Sequence, residues 1–181
     1  MDDRTKIIKG IRRAANIGLY GTLLVSALTV AEYYMASQVW QHTIVTNVYT
    51  HNLLLMVGVV LAVAVISIIL LSLRKQLPRL RQTDSVDDRL TGYRSLVRSV
   101  YYTSLTAAAV ISACIVISNE NTMIMLLLLL FVMLMLNYPN MYKMKADLGL
   151  NDSEMTSLFG DKYLSNNRPE NSNGENGDEQ E

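Results

Sequence analysis

Glu32, His42, His51 and Cys114 are the side chains whose types could carry chemistry in or beside the long apolar stretches of this chain. Glu32 is the only acidic residue inside a candidate membrane span. A carboxylate at the bilayer centre costs about 2.5–3.5 kcal/mol on insertion scales, so one retained there is a candidate for proton coupling or substrate binding. Glu32, however, directly precedes Tyr33 and Tyr34. Amphipathic aromatic rings favour the membrane interface, where the cost of a charge falls steeply. An ordinary interfacial carboxylate is therefore the leading reading, with a functional carboxylate as the alternative. His42 and His51 share one loop but match no helical or zinc spacing, and no carboxylate lies between them. Cys114 is the single cysteine, so no intramolecular disulfide can form. Deep in an apolar run it reads as a small hydrophobe.

Nothing else assembles into a site. There is no Gly-rich phosphate loop, HExxH pair, serine elbow or paired-carboxylate motif. The expectation is no catalytic, cofactor-binding or metal-binding residue, and no enzyme. Nucleic-acid binding has no support beyond basic residues that have another explanation.

That explanation is topology. All 16 Lys and Arg residues fall within 2–13, 74–98 and 139–168. Two apolar stretches, 14–73 and 99–138, separate them, and each is long enough to cross a bilayer twice. Cytoplasmic loops retain Lys and Arg while translocated loops lose them. The expected fold is an all-α, polytopic membrane protein of four spans in two hairpins, with both termini inside. The spans are 14–36, 52–73, 99–118 and 122–138, the last short for a perpendicular crossing. The basic N-terminus followed by an apolar run resembles a signal peptide, but the run is too long and lacks a cleavage site, so it reads as an uncleaved first span. One Cys and no glycosylation sequon in the outer loops favour a bacterial cytoplasmic membrane.

Local signals refine the elements. Ile7, Ile8 and Ile11 form an apolar stripe, so the first helix should begin before the membrane. Pro78 should end the second helix. Ser85 with Asp88 resembles a helix start, and Val86, Leu90, Leu96 and Val97 lead into the third span. Within the loop 37–51, the β-branched segment Thr43 to Tyr49 reads equally as a short extended piece or a frayed helix end. A break at Pro139 is followed by a surface helix ending at Gly149 and a second one between Asn151 and Gly160, with Glu154 completing a capping box. Residues 165–181 form an acidic tail without aromatics, expected to be disordered.

Two further groups matter. Small residues recur on one helix face at Gly18, Thr22 and Ser26, at Gly58 and Ala62, and at Ser104, Ala108 and Ser112. In lipid, close backbone approach at such faces drives helix association, within one chain or between copies as a homo-oligomer. The fourth span lacks small residues and should lean on its neighbours by one side only. Met155, Leu158, Phe159 and Tyr163 give 139–164 an apolar face, too short to be stable alone in water. It must pack on the membrane, the basic inner loop or a partner. The expected function is a non-enzymatic accessory, interaction or scaffold protein that meets the lipid bilayer and another membrane or cytoplasmic protein through the inner loop and 139–164. The alternative is a small transporter or channel subunit that uses Glu32 and the polar third span.

Overall fold

The computed structural model describes residues 3–36, 47–118 and 122–160. Among these the chain is all-helical, in the order α1 (Asp3–Met35), α2 (Val48–Arg81), α3 (Val86–Ser118), α4 (Thr122–Leu136), α5 (Met141–Leu148) and α6 (Asp152–Phe159). Helices α1, α2 and α3 are each long and apolar enough to cross a membrane. They have 33, 34 and 33 residues. At 1.5 Å per residue each is about 50 Å long, well beyond the ~30 Å hydrocarbon core. The expected spans are thus parts of longer rods whose basic segments continue the same helix. Residues 48–51, expected in the loop, form the first turn of α2, and 37–46 lie outside the described residues. So do the tail 165–181 and the end of the segment 139–164.

Helix α4 has 15 residues and stops at Leu136, two short of the expected boundary. That is about 22 Å, less than the hydrocarbon thickness. Its 123–136 part and α5 are bent by 79° at the intervening break. Pro139 supplies no N–H and disfavours helical geometry at Tyr138. Asn140 then restarts the chain as N-cap, its side chain accepting from the Lys143 amide at 2.7 Å.

Pro78 does not end α2, contrary to the sequence expectation: the helix runs on to Arg81. The reason is tertiary. Leu77 and Leu80 pack against the buried core, Leu80 lies over Gly92 of α3, and the Arg81 guanidinium donates to the carbonyls of Ala146 and Asp147 at 2.7 and 3.1 Å. These contacts offset the backbone bond that proline removes.

Helix α3 is the hub. Contacts of α1 with α3 run in step, from Arg4–Asp87 through Gly10–Arg94 and Gly18–Tyr101 to Gly21–Leu105, so the two helices are parallel. Helix α2 returns alongside α3, and α4 packs across from Gly58 to Tyr101. Although adjacent in sequence, α1 and α2 barely touch; each packs on α3 instead. The simple picture of two paired hairpins is therefore incomplete. This arrangement gathers the described Lys and Arg residues toward one end of the bundle, here termed the basic end.

Buried side chains form two clusters. The one at the basic end contains large residues, among them Ile11, Tyr93, Tyr101, Met144, Leu148 and Met155. The second, in the apolar half, mixes alanines at 62, 107 and 108 with Ile111, Ile115 and the inner face of α4.

Candidate functional site

Glu32 lies in the last turns of α1, half-buried, at the end away from the basic residues. It has no hydrogen bond or ion pair to another described residue. His51 falls in the first turn of α2, and His42 is outside the described residues. Cys114 is buried beside Ile111 and Ile115. Among the described residues no three His, Cys, Asp or Glu side chains converge in a way that could hold a metal ion.

The small-residue faces are interior. Gly18, Thr22, Gly58, Ala62, Ser104, Ala108 and Ser112 are all buried, and Ser26 is half-buried. Two of them, Gly18 and Gly58, face larger side chains. A Cβ on Gly18 would lie 2.5 Å from the Tyr101 Cβ, and one on Gly58 would lie 3.1 Å from the Met123 methyl. Each glycine is a notch that receives a bulky residue from the next helix. Helix α4 does bury one stripe, Met123, Leu127, Leu130 and Leu134, and exposes the rest. Leu130 belongs to the buried stripe, 2% exposed, within a run of leucines whose types do not distinguish the two sides.

Hydroxyls in the bundle divide into two kinds. Ser104, Ser118 and Thr29 donate back to the carbonyl four residues earlier, at 2.7–2.8 Å. Thr22, Ser26 and Ser112 have buried oxygens with no hydrogen-bond partner among the described residues.

Polar contacts of a different quality hold the basic end. The Tyr93 hydroxyl, on α3, donates to the Asp147 carboxylate of α5 at 2.9 Å, and both residues are buried. Burial pushes the Tyr93 hydroxyl well above its ordinary pKa, and the neighbouring carboxylate adds to that shift, so the group stays protonated and donating. Lys143 lies 3.6 Å from the second Asp147 oxygen. Arg81 supplies a positive group at the carbonyl end of α5, where the helix dipole favours one. The interior beside Tyr93 and Asp147 leaves about 20 Å³, room for a water and not for a substrate. Two tyrosines tie down the end of α4: Tyr101 donates to the Leu134 carbonyl at 3.0 Å, and Tyr138 donates to the Asn16 side chain at 2.7 Å. Apart from Lys143–Asp147, four residues apart on α5, these links join residues far apart in the chain and have no local sequence signal.

The apolar face of α6 is largely internal. Met155 is fully buried in the core of the basic end, and Leu158 and Phe159 pack against it. The Phe159 ring lies under the Arg12 guanidinium at 5.9 Å. Met155 is therefore a core residue: of the surfaces open to this face in the sequence, the membrane, the basic inner loop or a partner, it packs in the core that Leu77, Leu80, Leu90 and Tyr93 of the inner-loop segment share. Its capped turn folds onto its own bundle because that surface is within reach. Tyr163 lies outside the described residues. The capping box itself is present as expected, with Asn151 and Glu154 bonded reciprocally at 2.8 Å.

Comparison of the chain with protein-family models, with curated proteins and with solved structures yields no match.

Proposed function

We propose that the chain is a four-span membrane protein with both termini in the cytoplasm, acting as a non-enzymatic interaction or scaffold protein of a bacterial cytoplasmic membrane. The basic end is then the cytoplasmic end, by the retention of Lys and Arg on that side. The observation that carries the reading is the buried Tyr93–Asp147 contact with Arg81 behind it. These polar groups hold α5 across the ends of α2 and α3. An anchor alone does not need a rigid cap, whereas a surface presented to a partner does. With the α6 face turned inward, the exposed candidates on this platform are Tyr142, 51% exposed, and the neighbouring Asn140, beside the half-buried Arg12. A photo-cross-linker at Tyr142 in cells should give a discrete adduct with another protein. Adducts only to lipid, here and at Arg79, would sink the scaffold reading.

The transporter or channel alternative draws on one observation, the unpartnered hydroxyls of Thr22, Ser26 and Ser112 in the same half of the bundle as Glu32. Proteoliposomes that show a solute or proton flux lost on Glu32→Gln would favour it.

A further inference from the structure

Between the N-terminal turns of α1 and α3 is an open cleft of about 480 Å³. Lys6, Lys9 and Arg13 line it from α1, and Arg94 and Arg98 line it from α3. Among the described residues no acidic side chain lines it. Lys6 pairs with Asp3 at 3.1 Å, and the other four cations have no ion pair among the described residues. The spacing makes this convergence a property of the fold. Positions 6, 9 and 13 share one face of α1, and positions 94 and 98 share one face of α3. Parallel packing brings those two faces edge to edge. Gly10 creates the room: a Cβ there would lie 2.9 Å from the Arg94 Nε. On the side leading into the apolar half, the cleft is closed by Ala14, Ile17 and Tyr102, with the Arg98 guanidinium 5.7 Å from the Tyr102 ring centre.

We infer that this cleft binds the phosphate of an anionic phospholipid of the cytoplasmic leaflet. Setting the orientation of the chain requires only that cations lie on one side of the membrane; it does not require them to converge from two helices on one concavity. The cations sit immediately before the charge-free stretches of α1 and α3, at headgroup depth, and the apolar and aromatic side of the cleft faces where acyl chains begin. Arginine's fixed fork suits phosphate oxygens, and basic pockets between membrane helices bind anionic headgroups. The volume is within the ordinary range of small-ligand sites, roughly 300–1,000 Å³. The inference rests on the cytoplasmic assignment of the basic end.

The test uses the full chain purified in a neutral detergent and titrated with dioctanoyl phosphatidylglycerol, dioctanoyl phosphatidylcholine, inorganic phosphate and ATP in separate arms, read as thermal shift. Phosphatidylglycerol should stabilise the protein saturably and phosphatidylcholine should not. Arg13→Gln with Arg94→Gln should weaken the phosphatidylglycerol response roughly tenfold or more, since each cation contributes about a factor of five near an anionic surface. Arg74→Gln with Lys75→Gln, the same charge change on exposed positions of α2, should leave it intact. Gly10→Ala keeps every charge but displaces Arg94, and should weaken binding severalfold. Equal losses in the two charge-changing pairs would reduce the effect to diffuse attraction and overturn the site. An equal response to phosphate or ATP would make it a soluble-anion site and overturn the lipid assignment, as would no response to phosphatidylglycerol. Thiol labelling of Thr5→Cys, in a Cys114→Ala background, separates this from the topology reading. Labelling from outside intact cells would refute the orientation whatever the detergent titration shows.

Discussion

The two halves of this bundle are held together by different physics. In the apolar half, Gly58 receives the Met123 side chain, alanines 62, 107 and 108 lie among Ile111, Ile115 and the inner stripe of α4, and cohesion comes from close packing. At the basic end, large side chains form a core that water can border, and the helix ends are tied by tyrosine, arginine and carboxylate bonds. Lipid is as apolar as leucine, so burying leucine against leucine gains little in the first region, and shape decides. In the second, exposure to water makes both apolar burial and hydrogen-bond satisfaction count. A polar network is affordable only there, where the surrounding solvent limits the penalty of its outer members.

The contrast can be broken most severely at Gly18. Gly18→Leu must move the α1 and α3 backbones apart, because the clash is with the Tyr101 Cβ and no rotamer relieves it. The expected loss is about 3 kcal/mol or more, at the upper end of overpacking effects, read as unfolding in detergent. If Gly18→Leu melts like the wild type, close approach of α1 to α3 beside Tyr101 is not what holds the bundle.

The corresponding cut at the basic end is Asp147→Ala. It orphans the buried Tyr93 hydroxyl and should cost about 2–3 kcal/mol. Limited proteolysis should then reach α5 and α6 while α1–α3 stay protected; uniform exposure would mean that the two halves do not behave separately. The same contact has a pH signature. Tyr93 is raised in the folded state above its ordinary value of 10.0. Its contribution is fully present below that pH and shrinks as pH rises above it, because the unfolded chain then releases a proton that the folded chain retains. Tyr93→Phe should therefore flatten the alkaline limb of the stability profile, and an unchanged limb would assign it to other groups.

Smaller effects sharpen the comparison. Asn151→Ala removes one half of the α6 capping box, at about 1 kcal/mol, and should act on the basic end only. On α4, Leu128→Ala should be near neutral because its side chain faces outward, while Leu130→Ala opens a cavity in the buried stripe and should cost about 2 kcal/mol or more. Equal sensitivity at the two positions would show that α4 does not bury the stripe described.

What could be read from residues alone was whatever depends on neighbours within one helical turn. The capping box at Asn151, the stop at Gly149, the Ser85 start and the burial of the small-residue faces all follow from spacings of three or four. The long apolar runs were legible for the same reason, since hydropathy sums over adjacent residues. Pro78 misled because proline's local preference is real, yet contacts of Leu80 and Arg81 with distant helices outweigh it. Leu130 and Leu128 are chemically identical and two apart, so only the direction from which α2 and α3 approach tells them apart. Met155 lies on an apolar face that the sequence leaves open to the membrane, the basic inner loop or a partner, and the tertiary structure alone places it in the chain's own core. Tyr93 and Asp147 are 54 residues apart, as Arg13 and Arg94 are far apart on two helices. No local pattern records such pairs, because they exist only once parallel packing of α1 with α3 and the bend at Pro139 have brought their helices together.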